Sequence, residues 1–472
     1  MTGPLDDRLP DGFQVQINPQ CIPGGDLRYL VGGSPTRVLK LSEAALGMTS
    51  DDGRIAVCDN ATRALARKLL DTDIGRPRPM AGPDPSLVTV VIPVRDNQAG
   101  IDRLLSQLAG NLVIVVDDGS AEPIYATGER VTVIRFDENR GPASARNAGL
   151  AASDSEFVAF LDSDTVPTGD WLAILMAHFS DPKVGIVAPR IVGRPPRTSD
   201  STAARYANVH SALDMGPSEA LVAPGSPLPY VPSAAMVVRR NGFQGFDDSL
   251  RVAEDVDLCW RTHAAGWRVY YDPIAHVRHD HRETLAALLD RRRFYGTGAA
   301  KLAGRHGATA APVRSTLPIA VAVIGLLTRT RLGLLLASVL TLRTALQTRK
   351  RLTGIPAASG IAVQTTSRAL GWGLLQATQA LLRHYWPITL LVALAVPGFR
   401  RYVVQLAVAE GLVLWIRAEV KQGDSPGVGP VGYVLMRRLD DLAYGAGLWQ
   451  GAVAARRLTA LAPVFAGCGD RR

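Results

Sequence analysis

Three short apolar runs in the first half of the chain each end in polar residues. The runs lie in residues 88–97, 112–120 and 157–165, and the first becomes polar after Pro93. The second ends in Asp117-Asp118-Gly, and the third ends in Asp162-Ser-Asp164. Such runs, alternating with helical patterns, are typical of a parallel sheet in an α/β fold. Ligands of these sheets bind at the carboxyl ends of the strands, where the four carboxylates would lie.

Four carboxylates at one edge of a sheet would repel one another, and a divalent cation relieves this repulsion. Carboxylate oxygens suit Mg²⁺ or Mn²⁺, and these ions typically also hold substrate phosphates. Aspartates at strand ends also form turns, and Asp162-Ser-Asp164 alone is equally compatible with that role. Asp117-Asp118 at an earlier strand end, with Arg146 between, favours the ligand-binding interpretation.

Two further segments contribute candidate chemistry. Residues 139–149 read as a Gly turn followed by an Ala-rich helix that carries Arg146. Glu254 and Asp255 directly precede a second helical pattern. The helix dipole stabilises an anion at that position, which suits a general base that takes a proton from a sugar hydroxyl.

Together these motifs resemble the family 2 glycosyltransferases over roughly residues 87–293. The resemblance implies a GT-A fold and, in most members, inversion at the anomeric carbon. The implied nucleotide-sugar positions are Pro93, Val94, Asp117, Asp118, Arg146 and Asp162. The implied base is Asp255, and the implied ligands of Mg²⁺ or Mn²⁺ are Asp164 and His279, with His276 and His281 as neighbouring alternatives. Glu254, Arg293 and Phe294 are implied on the acceptor side.

One segment departs from the family pattern. Membrane polysaccharide synthases of this family carry Gln-x-x-Arg-Trp after the base, whereas this chain has Asp290 and Phe294 at the outer positions and keeps Arg293. The aromatic ring can still pack against an acceptor sugar, but processive synthesis is in doubt. A solvated basic face over residues 291–293 is an equally good interpretation.

The first 80 residues lie outside the region of resemblance and predict a small separate domain. They contain a hairpin around Gly32-Gly33, helical patterns over 42–48 and 60–70 with Asn60 as N-cap, and a linker over 75–85. The set resembles small winged-helix domains that recognise precursor peptides. A structural or docking domain is an equally good alternative. The catalytic domain is then expected over 86–300.

Residues 315–472 predict a helical region of unusual composition. Apolar segments, among them 317–327 and 388–396, are short and are bounded by arginines such as Arg329 and Arg331. A spanning helix needs about 20 apolar residues, so we expect interfacial membrane association or, with equal weight, a buried helical bundle. The net charge of +9 favours anionic lipid, and no nucleic-acid motif accompanies it.

The four cysteines are widely separated and predict reduced thiols. Residues 1–20 are polar and predict no signal peptide. We therefore expect the enzyme at the cytoplasmic face of the cell membrane, where nucleotide sugars are present.

The combination of segments along the whole chain resembles transferases that add β-linked glucose to a peptide-derived redox cofactor precursor. UDP-glucose is the implied donor, and several glucose units are compatible with the pattern. The main alternative is a membrane-associated transferase for cell-wall polysaccharide or a lipid-linked glycan. A non-catalytic binding protein is disfavoured because every acidic motif is intact. Hydride transfer is disfavoured because no Gly-x-Gly-x-x-Gly follows the first strand.

Overall fold

The computed structural model describes most of the chain. The described residues are 4, 7–24, 26–79, 81–108, 110–195, 197, 199–280, 284–422 and 427–466. The strands are β1 Gln14–Ile17, β2 Ile22–Gly24, β3 Asp26–Gly32, β4 Arg37–Lys40, β5 Arg54–Ala56, β6 Gly75–Arg78, β7 Val88–Val94, β8 Leu112–Asp117, β9 Val131–Arg135, β10 Phe157–Leu161, β11 Thr165–Thr168, β12 Val184–Gly193, β13 Ala220–Val222, β14 Ala235–Arg239, β15 Arg268–His279, β16 Arg314–Thr316 and β17 Val464–Ala466.

The helices follow the strands along the first half of the chain and dominate the second half. They are α1 Glu43–Gly47, α2 Asn60–Asp71, α3 Gln98–Leu105, α4 Pro142–Ala151, α5 Trp171–Ala177, α6 Thr202–Val209, α7 Glu254–Ala264, α8 Leu285–His306, α9 Leu317–Thr328, α10 Arg331–Arg351, α11 Ala358–Gln379, α12 Trp386–Ala395, α13 Pro397–Gln422 and α14 Pro430–Ala454. The chain forms two compact units. The first contains residues 1–21, 30–195 and 210–281, and the second contains residues 22–29, 196–209 and 282–472.

The first unit is built around a mixed sheet with the order β11-β15-β12-β14-β10-β7-β8-β9, in which β13 also pairs with β15. The three predicted strands are confirmed as β7, β8 and β10, and they are parallel neighbours. Their apolar, β-branched residues are buried because helices cover both faces of such a sheet. The other half of the sheet is mixed, because β12 is parallel to β15 while β14 runs antiparallel to β10 and β11 antiparallel to β15. The predicted parallel pairing therefore does not extend to β14 and β11.

The N-terminal segment adds a small antiparallel sheet of order β5-β1-β6 with α2 against it. Arg67 of α2 donates two hydrogen bonds to Asp181 of the central-sheet region, at 3.0 and 2.8 Å. This buried, bidentate ion pair anchors the segment within the first unit. The predicted domain boundary near residue 80 and the peptide-recognition role stay predictions.

Two local expectations for this segment are wrong. The N-cap of α2 is Asp59, because its carboxylate accepts from the backbone N–H of Thr62 at 2.8 Å while the Thr62 hydroxyl bonds back to Asp59. Asn60 is therefore the first helical residue. The predicted linker over 75–85 begins with β6, which pairs with β1 because its backbone completes the edge of that sheet.

The second unit is a helical bundle in which α14 packs along α8. The helices approach closely at glycines: a Cβ on Gly447 would overlap the backbone of Arg293. A buried ion network crosses the bundle, where Arg437 pairs with Glu410 and Asp441, each at 3.2 Å. The interpretation of residues 291–293 as a solvated basic face is wrong for Arg292, which is buried and pairs with Asp440.

The longest helices of the second unit are α8, α10, α11, α13 and α14. In the described part of the chain, no helix combines the length and the apolar character that crossing a bilayer requires.

Candidate active site

The loop after β8 is held in place by Asp117. Its buried carboxylate accepts backbone hydrogen bonds from Ser120 at 2.9 Å and Ile124 at 3.2 Å, and it pairs with Arg135. Burial raises the pKa of Asp117, but the hydrogen bonds from Ser120 and Ile124 and the charge of Arg135 together leave the pKa below its ordinary value. Since its oxygens already have these partners, the geometry favours a structural role for Asp117 over donor binding.

Asp118 connects this loop to the turn before α4. Its carboxylate accepts from the backbone N–H groups of Arg140 at 2.6 Å and Gly141 at 2.9 Å. The φ angle of Gly141 is 97°, a conformation that side chains disfavour, so glycine is needed for this turn. The Asp118 amide bonds the carbonyl of Val94 at 2.8 Å. Asp118 therefore holds Val94 and the turn together, and its predicted contact with the nucleobase stays a prediction.

Arg146 joins the end of β10 to the start of α7. It is 2% exposed and donates to Asp162 at 2.5 Å and to Glu254 at 3.4 Å. Its guanidinium also lies 5.3 Å from the ring centre of Phe246. The prediction that Arg146 faces the nucleotide remains untested, but these contacts show that it holds together the two acidic elements of the site.

Glu254 and Asp255 open α7, as predicted. Ala253, the residue before them, has a φ angle of 62°, in the left-handed region that residues other than glycine adopt infrequently. Asp255 as a whole residue is partly exposed, but its carboxyl group is buried. This burial and then the charge of Glu254 raise its pKa to about 7. The backbone of Val256 and the charge of Arg146 act in the opposite direction. A carboxylate with a pKa near neutrality is well matched to general-base catalysis.

The predicted metal ligands lie next to each other on β15 and beside β11. His279 Nε2 is 3.3 Å from Asp164 Oδ2, and Thr165 is registered opposite His279 between the two strands. In the described residues, no group of three or more His, Cys, Asp or Glu side chains is arranged around a common point. Two protein ligands fit Mg²⁺ or Mn²⁺, because these ions commonly complete their coordination with substrate phosphates and water. His281 lies outside the described residues.

The predicted acceptor residues Arg293 and Phe294 belong to the second unit. Arg293 donates to Gln450 of α14 at 2.9 Å, and Phe294 is half exposed, with the Arg291 guanidinium 5.7 Å from its ring centre. Both side chains are accessible on α8. Their role in acceptor binding stays a prediction.

Two residues support the site that the sequence did not single out. Asn147 pairs with the backbone of Phe246 through two hydrogen bonds of 2.8 Å, and so it holds the loop before α7. The Ser233 hydroxyl lies 3.5 Å from Glu254, and the Ser233 backbone bonds Asp255. Asn147 directly follows Arg146 in the segment 139–149, whereas Ser233 precedes β14 without a recognisable pattern.

The raised pKa of Asp255 predicts a pH-dependent rate. The carboxylate form is the base, so kcat/KM should fall as the pH drops below about 7. Glu254→Gln removes the neighbouring negative charge, which lowers the pKa of Asp255. The fall of kcat/KM on the acidic side of the pH profile, its acidic limb, should therefore move to lower pH. Measuring kcat/KM against pH for both proteins tests this. Glu156→Gln, an exposed glutamate of the same unit, is the control. A limb that stays in place or moves to higher pH in Glu254→Gln would remove Asp255 from this role.

The sequence is similar to that of known glycosyltransferases. Residues 89–244 match the family model described as glycosyl transferase family 2. The pre-mycofactocin glycosyltransferase of Mycobacterium tuberculosis is 44% identical over 97% of this chain and 98% of its own length. The poly-beta-1,6-N-acetyl-D-glucosamine synthase of Staphylococcus aureus is 30% identical over 39% of this chain and 47% of its own length. Among solved structures, a mannosyltransferase from Pyrobaculum calidifontis in complex with GDP-Man and Mn²⁺ is 19% identical, with a TM-score of 0.36 over 73% of this chain and 90% of that chain.

Proposed function

Because the chain belongs to the family 2 glycosyltransferases, we propose that it moves glucose from UDP-glucose onto the peptide-derived precursor of the redox cofactor mycofactocin. The transfer would invert the anomeric carbon and give a β-linked product, with further glucose units added to the first. The acceptor is supported by the similarity to the pre-mycofactocin glycosyltransferase, which extends along nearly the whole of both chains.

The observation that carries the chemical proposal is the position of Asp255. It lies at the start of α7, and Arg146 links this helix end to the strand end that carries Asp162. In the proposed reaction, Asp255 removes the proton from an acceptor hydroxyl. The hydroxyl oxygen forms a bond to the sugar C1, and the bond from C1 to the diphosphate breaks on the opposite face. One displacement of this kind inverts the configuration at C1.

The donor would bind at the carboxyl ends of β7, β8 and β10. Pro93 and Val94 are the last two residues of β7, and the Asp118 amide bonds the Val94 carbonyl. Mg²⁺ or Mn²⁺, held by Asp164 and His279, would neutralise charge on the departing diphosphate. The close approach of the Asp164 and His279 side chains supports these two residues as its protein ligands.

On the acceptor side, Glu254 is the neighbour of the base, and Arg293 and Phe294 are accessible on α8. A planar guanidinium that binds carboxylates and an aromatic ring that packs on sugar faces suit a glycosylated peptide derivative. The alternative acceptor is a lipid-linked or cell-wall glycan. The similarity to the polysaccharide synthase of S. aureus covers less than half of either chain and does not favour that alternative.

Mass spectrometry of reaction products tests the proposal. Purified enzyme is incubated with Mn²⁺, the peptide-derived acceptor and each of UDP-glucose, UDP-galactose, UDP-N-acetylglucosamine and GDP-mannose. We expect products heavier than the acceptor by one or more hexose units with UDP-glucose. Product formation only with UDP-N-acetylglucosamine would contradict the donor. A parallel incubation replaces the peptide-derived acceptor with a polyprenyl phosphate. Glucosylation of the polyprenyl phosphate but not of the peptide-derived acceptor would contradict the acceptor.

A further inference from the structure

Helix α12 and the first half of α10 (residues 332–342) have apolar residues on all sides but bury almost none of them. On α10, Gly333 and Ala337 are the buried residues, while Leu332 is 76% exposed. On α12, the buried residues are Thr389 and Ala393, and the leucines between and after them face outward. A helix that is apolar on all sides is normally buried or in contact with lipid. We therefore expect another molecule, either a protein or a lipid bilayer, to contact the exposed apolar side chains of these helices.

The exposed ends of these two helices lie close together. The turn from α9 to α10 contacts the beginning of α13, because Arg329 donates to Gln405 at 2.8 Å and lies 4.8 Å from the ring centre of Tyr402. Since α12 ends at Ala395 and α13 begins at Pro397, the end of α12 lies beside the same turn. We refer to this region as the two-turn tip. Its exposed members are Leu332, Leu391, Leu394, Arg329, Arg331 and Arg401.

The charge around the tip has one sign. Residues 291–409 contain sixteen Lys or Arg residues and no Asp or Glu. The whole chain carries 52 cationic and 43 acidic residues, so this segment differs sharply from the rest. The arginines at the two turns are exposed beside the apolar side chains. Arg292 and Arg383 of this segment pair with Asp440 and Asp441 of α14, whereas the arginines of the tip have no acidic residue near them in sequence. The tip therefore combines apolar contact area with positive charge.

We propose that the two-turn tip docks on an anionic lipid bilayer, with its leucines in the acyl boundary and its arginines at the lipid headgroups. Interfacial helices bury their apolar side chains by about 5–10 Å and gain further attraction from anionic headgroups. The α12 helix has ten residues, about 15 Å in length, which suits this shallow depth. Arginine side chains are long enough to keep their charge at the surface while the leucines descend.

A second copy of the chain is a poorer occupant of this surface. Two such tips would bring two sets of arginines together without any acidic residue in either segment to compensate them. Repulsion between like charges disfavours that contact. An anionic bilayer supplies the opposite charge and the apolar layer at the same time.

Cosedimentation of the full-length protein with vesicles tests this proposal. The vesicles contain phosphatidylcholine alone or with a third of phosphatidylglycerol, at low and at high salt. Arg331→Glu/Arg401→Glu should weaken binding to the anionic vesicles by about tenfold or more, since each cation near such a surface contributes attraction. Leu332→Asn/Leu394→Asn should also weaken it. Val453→Asn/Leu458→Asn is the matched control, because these residues are similarly exposed on another part of the second unit.

The outcomes separate the occupants. Binding to anionic vesicles that decreases with salt and is lost in both tip variants, but not in the control, supports the proposal. Equal binding to both vesicle types, or binding that only detergent reverses, overturns it. Light scattering without vesicles identifies a second copy as the occupant if the wild type is a dimer and Leu332→Asn/Leu394→Asn is a monomer. Soluble acceptor should be glucosylated equally by all variants, which shows that they are folded.

Discussion

Asp255→Asn should reduce kcat by on the order of 10²–10⁴ while donor binding is retained. The amide keeps the shape of the carboxyl group but cannot take the acceptor proton. Asp255 is partly buried at the start of α7, where burial and Glu254 raise its pKa to about 7. Steady-state rates measure the loss, and calorimetric titration with UDP measures donor affinity. Turnover equal to that of the wild type would rule out Asp255 as the base.

Stability gives an internal control for this variant. The pKa of Asp255 lies above its ordinary value of 3.8, so the associated stabilisation is full below that pH and is lost as the pH rises through about 7. An amide does not ionise, and Asp255→Asn should therefore be at least as thermally stable as the wild type at pH 8. Asp154→Asn, a fully exposed carboxylate of the same unit, should leave both the rate and the stability unchanged.

Asp164→Ala should weaken metal dependence and donor binding together. Asp164 and His279 are the two side chains positioned to hold a divalent cation, and a cation next to a departing diphosphate contributes several kcal/mol. We therefore expect activity at fixed Mn²⁺ to fall by on the order of 10²–10³, with a higher Mn²⁺ concentration needed for half-maximal rate.

The Mn²⁺ titration is repeated with Asp170→Ala as the matched control. Asp170 follows β11 closely in sequence, is exposed, and forms no capping hydrogen bond to α5. Its removal should change neither the rate nor the Mn²⁺ requirement. If Asp164→Ala and the wild type respond equally to Mn²⁺, Asp164 is not a ligand of the catalytic metal.

Much of the catalytic unit was predictable because its signals are local. The strands β7, β8 and β10 are continuous apolar runs, and their parallel order follows from the helices between them. The start of α7 at Glu254 was likewise indicated by the apolar pattern that follows it. These features depend on residues close together in sequence, and the order of apolar and polar residues therefore predicts them.

The errors come from contacts between distant parts of the chain. The antiparallel strand β14 contributes to the centre of the sheet, but its five residues carry no mark of their direction. The pairing of β6 with β1 joins residues about sixty positions apart, so the local Pro-rich pattern predicts a linker where the structure has a strand. The burial of Arg292 against Asp440 depends on α14 packing along α8.

The same limit applies to the site. The sequence shows Asp117, Asp118 and Arg146 as polar residues at strand ends and on a helix, and the structure places them at or beside the ends of β8 and β10. Their roles in binding the donor stay predictions. Their partners were not predictable, because Asp118 binds a turn and Arg146 binds Glu254 through the tertiary fold. A motif therefore indicates which strand ends carry acidic residues. The packing of α4 and α7 determines which of these carboxylates already have hydrogen-bond or ion-pair partners within the protein.

The proposed reaction is a single displacement in which Asp255 acts as the base. Proton NMR of the product formed from UDP-glucose tests it most directly, since the donor carries an α-linked glucose. We expect a newly formed β-glucosidic linkage from the first turnover, with a large coupling between the protons on C1 and C2. An α-linked product would show retention of configuration, which one displacement assisted by Asp255 cannot give.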